Sequence, residues 1–392
     1  VVRTACGGRL APPAIAANRR AIYQQGAAEW AASMRELRRR GAERGNMIEP
    51  EKLAAWREKF TNDRPHQTEG EAFRKAADLG FKGAGRRKLP YSGIATLIGA
   101  PYRPEAPDLA DFGGIDVALV GVPMDLAVTN RAGARLGPRA IRNVERIGPF
   151  HHALGFAPMA ELDAADIGDV PFRSRFDLVQ SLEDIEAFHS RIHAAGVKPL
   201  SAGGDHSISY PILKALGRDR PVGMVHIDAH CDTSGVYEGS RFHHGGPFRQ
   251  AVLDGVLDPS RTIQIGIRGG GEYLWEFSYE TGMTVIHAEQ VDAMGVAAVI
   301  AKARDVVGDQ PFYVSFDVDG VDPAFTPGTG TPEVGGLTPR EAQRILRGLA
   351  GLNVIGGDVV EVAPQYDATT VTAQIGAQML FEILALLALA PK

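Results

Sequence analysis

The sequence predicts an α/β protein in which a mostly parallel sheet is covered by helices on both faces. Three observations carry this. Short apolar runs recur: Ile115–Gly121, Pro199–Gly203, Val222–Ile227, Thr262–Ile267, Thr284–His287, Phe312–Phe316 and Val354–Val360. Helix-like segments, such as Leu178–Ala195 and Val291–Val307, lie between several of them. Thr338-Pro-Arg-Glu341 is a capping box that opens another helix. Strand-length apolar runs separated by helices suit a sheet buried on both faces, where every side chain meets apolar neighbours. In such sheets function gathers at the carboxyl ends of the strands.

Taken in order, the chain begins with a segment unlike the rest. Residues 1–46 hold nine Arg, three Glu, and neither Lys nor Asp. Three readings are open: a transit peptide, an over-extended reading frame ahead of Met47, or a helical arm built on the good helix formers of Ala27–Arg40. Residues 47–110 read as an extension. Glu49-Pro50-Glu51 looks like a helix start with Pro in the first turn, and Arg64–Leu109 is polar and irregular. The main domain is expected over residues 111–392.

Composition narrows the function classes. With 392 residues, 44% of them hydrophobic, the chain can bury one large core plus an appendage. A net charge of −5 gives no concentrated basic patch for nucleic acid. No apolar run was expected to approach the roughly 18 residues of a membrane span. Two distant cysteines, Cys6 and Cys231, argue against a disulfide framework and for a cytoplasmic setting.

Three motifs fall at predicted strand ends: Gly203-Gly-Asp-His-Ser207, His226-Ile-Asp-Ala-His-Cys-Asp232, and Ser315-Phe-Asp-Val-Asp319. Asp228, His230 and Asp232 alternate along the chain, so on extended backbone they point to one side. Asp317 and Asp319 repeat the pattern. A lone buried Asp or His is usually a structural hydrogen-bonder. Four carboxylates and two imidazoles, counting His206, are another matter. Packed together the carboxylates could not all stay ionised, and divalent cations remove that conflict. Mixed carboxylate and imidazole ligation suits Mn, Ni, Fe or Zn. Six side chains fit two ions with bridging carboxylates, able to activate one shared water.

These motifs resemble the signature of the ureohydrolase (arginase/agmatinase) family over about Ile115 to the C-terminus. Gly121-Val-Pro-Met-Asp125, Gly133-Ala-Arg-Leu-Gly-Pro-Arg-Ala140, His244-Gly-Gly-Pro-Phe248, Pro323-Ala-Phe-Thr-Pro-Gly-Thr-Gly330 and Glu361-Val-Ala-Pro-Gln-Tyr-Asp367 support it. The resemblance implies an arginase-like, three-layer α-β-α fold with about eight strands. It implies an amidinohydrolase that cleaves a guanidino C–N bond by a metal-bridging hydroxide. His206 and Asp232 would bind one metal, His230 and Asp319 the other, and Asp228 and Asp317 would bridge. Asp232 would also accept a hydrogen bond from the hydroxide. His244 would shuttle a proton to the leaving amine, and Glu361 would pair with the guanidinium. His243, Asp322 and Cys231 read as structural. Arg131 reads mainly as the partner of a carboxylate.

Substrate is less legible. Arginases follow the Asp-Ala-His-Xaa-Asp motif with an Asn/Thr/Ser-rich loop, and Thr233-Ser-Gly-Val-Tyr-Glu-Gly-Ser-Arg-Phe-His243 departs from it. L-Arginine is disfavoured. Agmatine, guanidino acids, guanidine and biguanides stay open, with Mn or Ni as the metal pair, and Asp125-Leu-Ala-Val-Thr-Asn-Arg131 with the N-terminal extension most resembles the guanidine/metformin hydrolase and guanidinobutyrase-type subgroup. The family implies a homo-oligomer, trimer or hexamer, with a hetero-oligomer also open. Two alternatives belong to other classes. One is a metal-dependent deacetylase on the same fold, which His230 and Glu361 argue against. The other is a non-catalytic partner subunit, which a complete ligand set argues against.

Overall fold

The structure is a computed structural model that describes residues 49–60, 91–144 and 147–391. The chain divides into two units, Val1–Glu69 and Gly70–Lys392. The described part of the first is helix α1 (Pro50–Phe60), which starts where the Glu49-Pro50-Glu51 pattern places it. Segment 1–46 and its three readings lie outside the described residues.

The second unit is organised by eight strands: β1 (Val117–Val122), β2 (Ala164–Asp169), β3 (Lys198–Gly203), β4 (Val222–Ile227), β5 (Leu257–Ile267), β6 (Thr284–His287), β7 (Phe312–Asp317) and β8 (Val354–Val360). They form one sheet in the order β2-β1-β3-β8-β7-β4-β5-β6. Every pairing is parallel, so the expected mostly parallel sheet is entirely so among the described residues.

Period-two alternation divides the core. On β1, Val117 and Leu119 face one apolar cluster while Ala118, Val120 and Val122 face the other. Two short helices, α2 (Gly137–Arg142) and α3 (Pro158–Glu161), contribute Ile141 and Met159 to the first cluster. The second cluster is closed by α4 (Leu178–Ala194), α5 (Ser209–Gly217) and α6 (Pro247–Leu253). Helix α7 (Glu272–Thr281) connects β5 to β6. The first cluster is completed by α8 (Ala288–Met294), α9 (Val296–Val307), α10 (Pro339–Arg347) and α11 (Val371–Leu389). This is the three-layer α-β-α arrangement.

Three features depart from the sequence reading. Strand β2 has no apolar run, because Ala164-Ala-Asp-Ile-Gly-Asp169 carries one large apolar side chain. It is an edge strand whose Asp166 is buried, yet accepts from Arg142 Nε at 2.9 Å and Leu97 N at 2.8 Å. The expected helix Val291–Val307 is two helices. Gly295, at φ +78°, ends α8 and opens α9 in a conformation other residues resist. Third, α11 is a 19-residue helix long and apolar enough to cross a membrane by length and composition, which corrects the expectation that no such run exists. Its apolar side chains are used inside the protein, with 72% of that stretch buried. Each Leu or Ile so buried contributes about 1.5–3 kcal/mol.

Candidate active site

Strands β3, β8, β7 and β4 are consecutive neighbours at the centre of the sheet. The three motifs and Glu361 follow these four strands, so parallel pairing delivers all the expected site residues to one rim. Local geometry then sharpens the placement. Gly204 has to be small, because a Cβ there would overlap the carbonyl oxygens of Val122 and Met124. Asp205 caps the turn that presents His206, accepting from Ser207 N at 2.9 Å. Asp317 does the same for the next turn, accepting from Asp319 N at 2.8 Å. Asp232 and Glu361 both adopt left-handed backbone, φ +52° and +63°. Such conformations cost about 1–3 kcal/mol in non-glycine residues and persist where surrounding structure enforces them.

The six expected ligands converge in two overlapping groups. His206 Nδ1 lies 3.1 Å from Asp228 Oδ2, 2.9 Å from Asp232 Oδ2 and 3.2 Å from Asp317 Oδ2. His230 Nδ1 lies 3.5 Å from Asp228 Oδ1 and 3.2 Å from Asp319 Oδ2. Asp228 turns one oxygen to each group. His206 Nδ1 is buried and, despite its short distances, satisfies no hydrogen-bond geometry. Atoms about 3 Å apart are spaced like neighbouring ligands on a cation with bonds of about 2.1 Å. The donor set therefore fits two divalent cations.

Electrostatics agree. Burial, then the charges of Asp319 and Asp228, push the Asp317 carboxyl well above the usual range. Burial and Asp228 raise Asp319 to about 6. Burial opposes the charge on Asp228, but His226 and the neighbouring His206 and His230 rings hold its carboxyl well below the usual range. Burial opposes the imidazolium forms of His206 and His230, yet the surrounding carboxylates push both well above the usual range, so the cluster draws in positive charge of the kind divalent ions would supply.

His226 was passed over in the sequence, although it shares the alternation of Asp228 and His230. Its Nε2 lies 2.7 Å from Asp228 Oδ2, and Gln264 Nε2 lies 3.1 Å from its Nδ1. The same amide donates to Cys231 O at 2.6 Å. Gln264 therefore presents N–H to the ring, Nδ1 accepts, and Nε2–H donates to Asp228. Although His206, His226 and Asp228 are close enough to form a metal trio, His226 is better placed as the donor that orients Asp228. A second supporting layer was also missed. Ser315 Oγ lies 2.8 Å from His206 Nε2 and donates to Asp358 Oδ1 at 2.8 Å. Asp358 also accepts from Ser209 and Tyr313. These polar residues look like strand interior, and only sheet register makes Ser315 and Asp358 neighbours.

Beside the ligands, Glu361 Oε1 accepts from His206 N at 2.9 Å and lies 2.8 Å from His244 Nδ1. Its Oε2 is buried without a hydrogen-bond partner among the described residues. Burial disfavours the His244 imidazolium, but Glu361, Asp205 and Asp232 outweigh it and raise its pKa to about 9. The softer assignments resolve as follows. His243 Nε2 lies 2.7 Å from Gly235 O, within its loop. Asp322 is occupied by the N–H groups of Ala324, Gly335 and Gly336. Cys231 is buried, and burial pushes its thiol up to about 12. Arg131 corrects its expectation. It donates to the carbonyls of Thr329 and Gly330, and its guanidinium lies 4.5 Å from the Tyr366 ring, with no carboxylate involved.

Known proteins match this arrangement. The guanidinopropionase of Pseudomonas aeruginosa is 50% identical over 299 residues, covering 75% of this chain and 94% of that protein. The mitochondrial agmatinase of Gallus gallus is 44% identical, covering 75% and 86%. The solved structure of proclavaminate amidino hydrolase from Streptomyces clavuligerus superposes with a TM-score of 0.72 at 35% identity, covering 77% of this chain and 99% of that one. The model of the arginase family matches residues 115–386. With that match, these relatives and an all-parallel sheet whose central rim gathers the motifs, the chain belongs to the arginase family and is an amidinohydrolase of the ureohydrolase type.

Proposed function

We propose that the chain hydrolyses a small guanidino compound other than L-arginine, releasing urea and an amine or ammonia. One observation carries the reading: a buried carboxylate oxygen, Glu361 Oε2, stands without a partner next to a six-residue ligand cluster. A planar cation seeks such an anion, and an unmet buried acceptor calls for a donor. The substrate names of the relatives, guanidinopropionase and agmatinase, support the same class.

The family resemblance supplies the residue roles, and the geometry supports them. His206 and Asp232 would hold one divalent cation and His230 and Asp319 the other, with Asp228 and Asp317 serving both. When bound, such ions would supply the acidity that turns water into a nucleophile at neutral pH. Glu361 orients the guanidinium through Oε2 while its Oε1 stays tied to His206 N and His244. His244, buried beside it, holds the proton that the leaving amine needs. Mn and Ni both suit this donor set. A cytoplasmic homo-oligomer, trimer or hexamer, completes the reading, supported by the sparse cysteines and the family resemblance.

The test is urea release by Mn- and Ni-reconstituted protein from guanidine, agmatine, guanidinobutyrate, guanidinopropionate, metformin and arginine. Urea from at least one of the first five, and little from arginine, is expected. No urea from any, with two metals bound per chain, would overturn the proposal.

A further inference from the structure

His244 has no free ring nitrogen. Nδ1 faces Glu361 Oε1 at 2.8 Å. Nε2 lies 2.7 Å from Thr129 Oγ1 and 3.1 Å from the Thr129 backbone N. That backbone N–H can only donate, so a lone pair on Nε2 receives it. The neutral ring therefore carries its proton on Nδ1, toward Glu361. A second proton has to enter and leave at Nε2, where the Thr129 hydroxyl is the group able to accept it. A hydroxyl rotates between donor and acceptor as the ring changes state, and an amide N–H cannot.

We infer that Thr129 Oγ1 is the relay through which His244 exchanges its proton with the leaving amine and with water. This rests on the reading of His244 as proton donor. In the step, the Nε2–H bond breaks as Oγ1 gains that proton, and Oγ1 passes its own proton to the amine nitrogen. The ring ends neutral, the hydroxyl is regenerated and the amine gains one proton. The reverse path, from water, resets the ring.

Position supports the role. His244 is buried whereas Thr129 is exposed, so the hydroxyl links the ring to solvent. The contact is braced on both sides. His244 N donates to Ala127 O at 2.9 Å, and Ala127 N donates to Asp205 Oδ2 at 2.9 Å. Asn130 Nδ2 donates to Gly330 O at 3.2 Å. The charged groups facing the ring are Glu361 after β8, Asp205 after β3 and Asp232 after β4, all favouring the imidazolium. Thr129 N–H opposes a proton on Nε2, and its hydroxyl offers that proton a way out.

Thr129→Val keeps the shape and the backbone N–H but removes the hydroxyl, and Thr129→Ser restores it. The chain would be labelled with 15N-histidine, loaded with diamagnetic Zn²⁺ and titrated by NMR, with His244→Asn assigning the signal. Turnover would be measured in parallel with Mn²⁺. The wild-type neutral ring should show the Nδ1-protonated form. In the valine variant the His244 pKa should fall by about one unit or more, and kcat about 10- to 100-fold with KM nearly unchanged. Serine should restore both. A valine variant that titrates and turns over like wild type, or a neutral ring protonated at Nε2, would overturn the inference. Failure of the wild type to release urea from any guanidino compound would defeat the functional reading instead, and the NMR titration would still report whether Thr129 governs Nε2.

Discussion

Replacing Glu361 by Gln isolates the charge that the functional reading depends on. Glutamine has the same length and pays the same backbone penalty at φ +63°, so strain is unchanged. Its amide oxygen can take the place of Oε1 and keep the contacts with His206 N and His244 Nδ1, at 2.9 and 2.8 Å. The change then falls on Oε2, the buried oxygen without a partner, which becomes an NH₂ group facing the donors of a guanidinium. A hydrogen bond to a charged group contributes about 1.5–3 kcal/mol, and donor facing donor adds to its loss. A total of about 3–4 kcal/mol corresponds to about a 100- to 1000-fold fall in kcat/KM. The assay is urea release from the best substrate, alongside metal content and thermal unfolding. Metal content should stay at two ions per chain. Activity within about threefold of wild type would refute the reasoning. Loss of metal together with activity would show that Glu361 acts through His206 rather than on the substrate.

Chelation should abolish urea release, and added Mn²⁺ or Ni²⁺ should restore it. Because Asp317 and Asp319 are raised in the metal-free fold, Asp319 to about 6, the native state binds more protons than the unfolded chain. Metal-free stability should therefore fall as pH rises from about 4, the unfolded Asp value, through 6; calorimetry of stripped and loaded protein at pH 5 and 7.5 checks this, and an equal pH response in both would contradict it. Glu382 lies within α11, where Arg347 donates to both its oxygens at 2.6 and 2.9 Å and His151 Nε2 lies 2.6 Å away. Burial opposes its charge, but these partners hold its carboxyl below the usual range. Glu382→Ala should cost about 3 kcal/mol at pH 7. That penalty is complete above the unfolded Glu value of about 4.3 and shrinks as pH falls through the lower folded value; urea denaturation at pH 7 and 3.5 measures it, and a cost that grows in acid would be the wrong sign. At Gly269 an added Cβ would overlap the imidazole of His230. Gly269→Ala should weaken metal binding tenfold or more by calorimetric titration, and unchanged affinity would show that His230 can step aside.

The sequence alone was sufficient to single out the candidate ligands that the fold gathers at one rim, and for most of the strands. Asp228, His230 and Asp232 announce themselves because extended backbone alternates faces, and β4, β6 and β8 begin and end where their apolar runs do. Periodicity is local, so a chain can display it before it folds. Features that depend on pairing were not legible. Strand β2 looks polar until Arg142 and Leu97 meet Asp166. His226, Ser315 and Asp358 look like interior polar residues until register sets them behind the ligands. Arg131 looks like a partner for a carboxylate until the loop at Thr329 and Gly330 offers its carbonyls first. Thr129 lies 115 residues from His244, and no local signal joins them. Local backbone geometry decides which way a side chain faces, and long-range closure of the sheet decides what it faces, so candidate ligands could be read from the sequence and their partners required the fold.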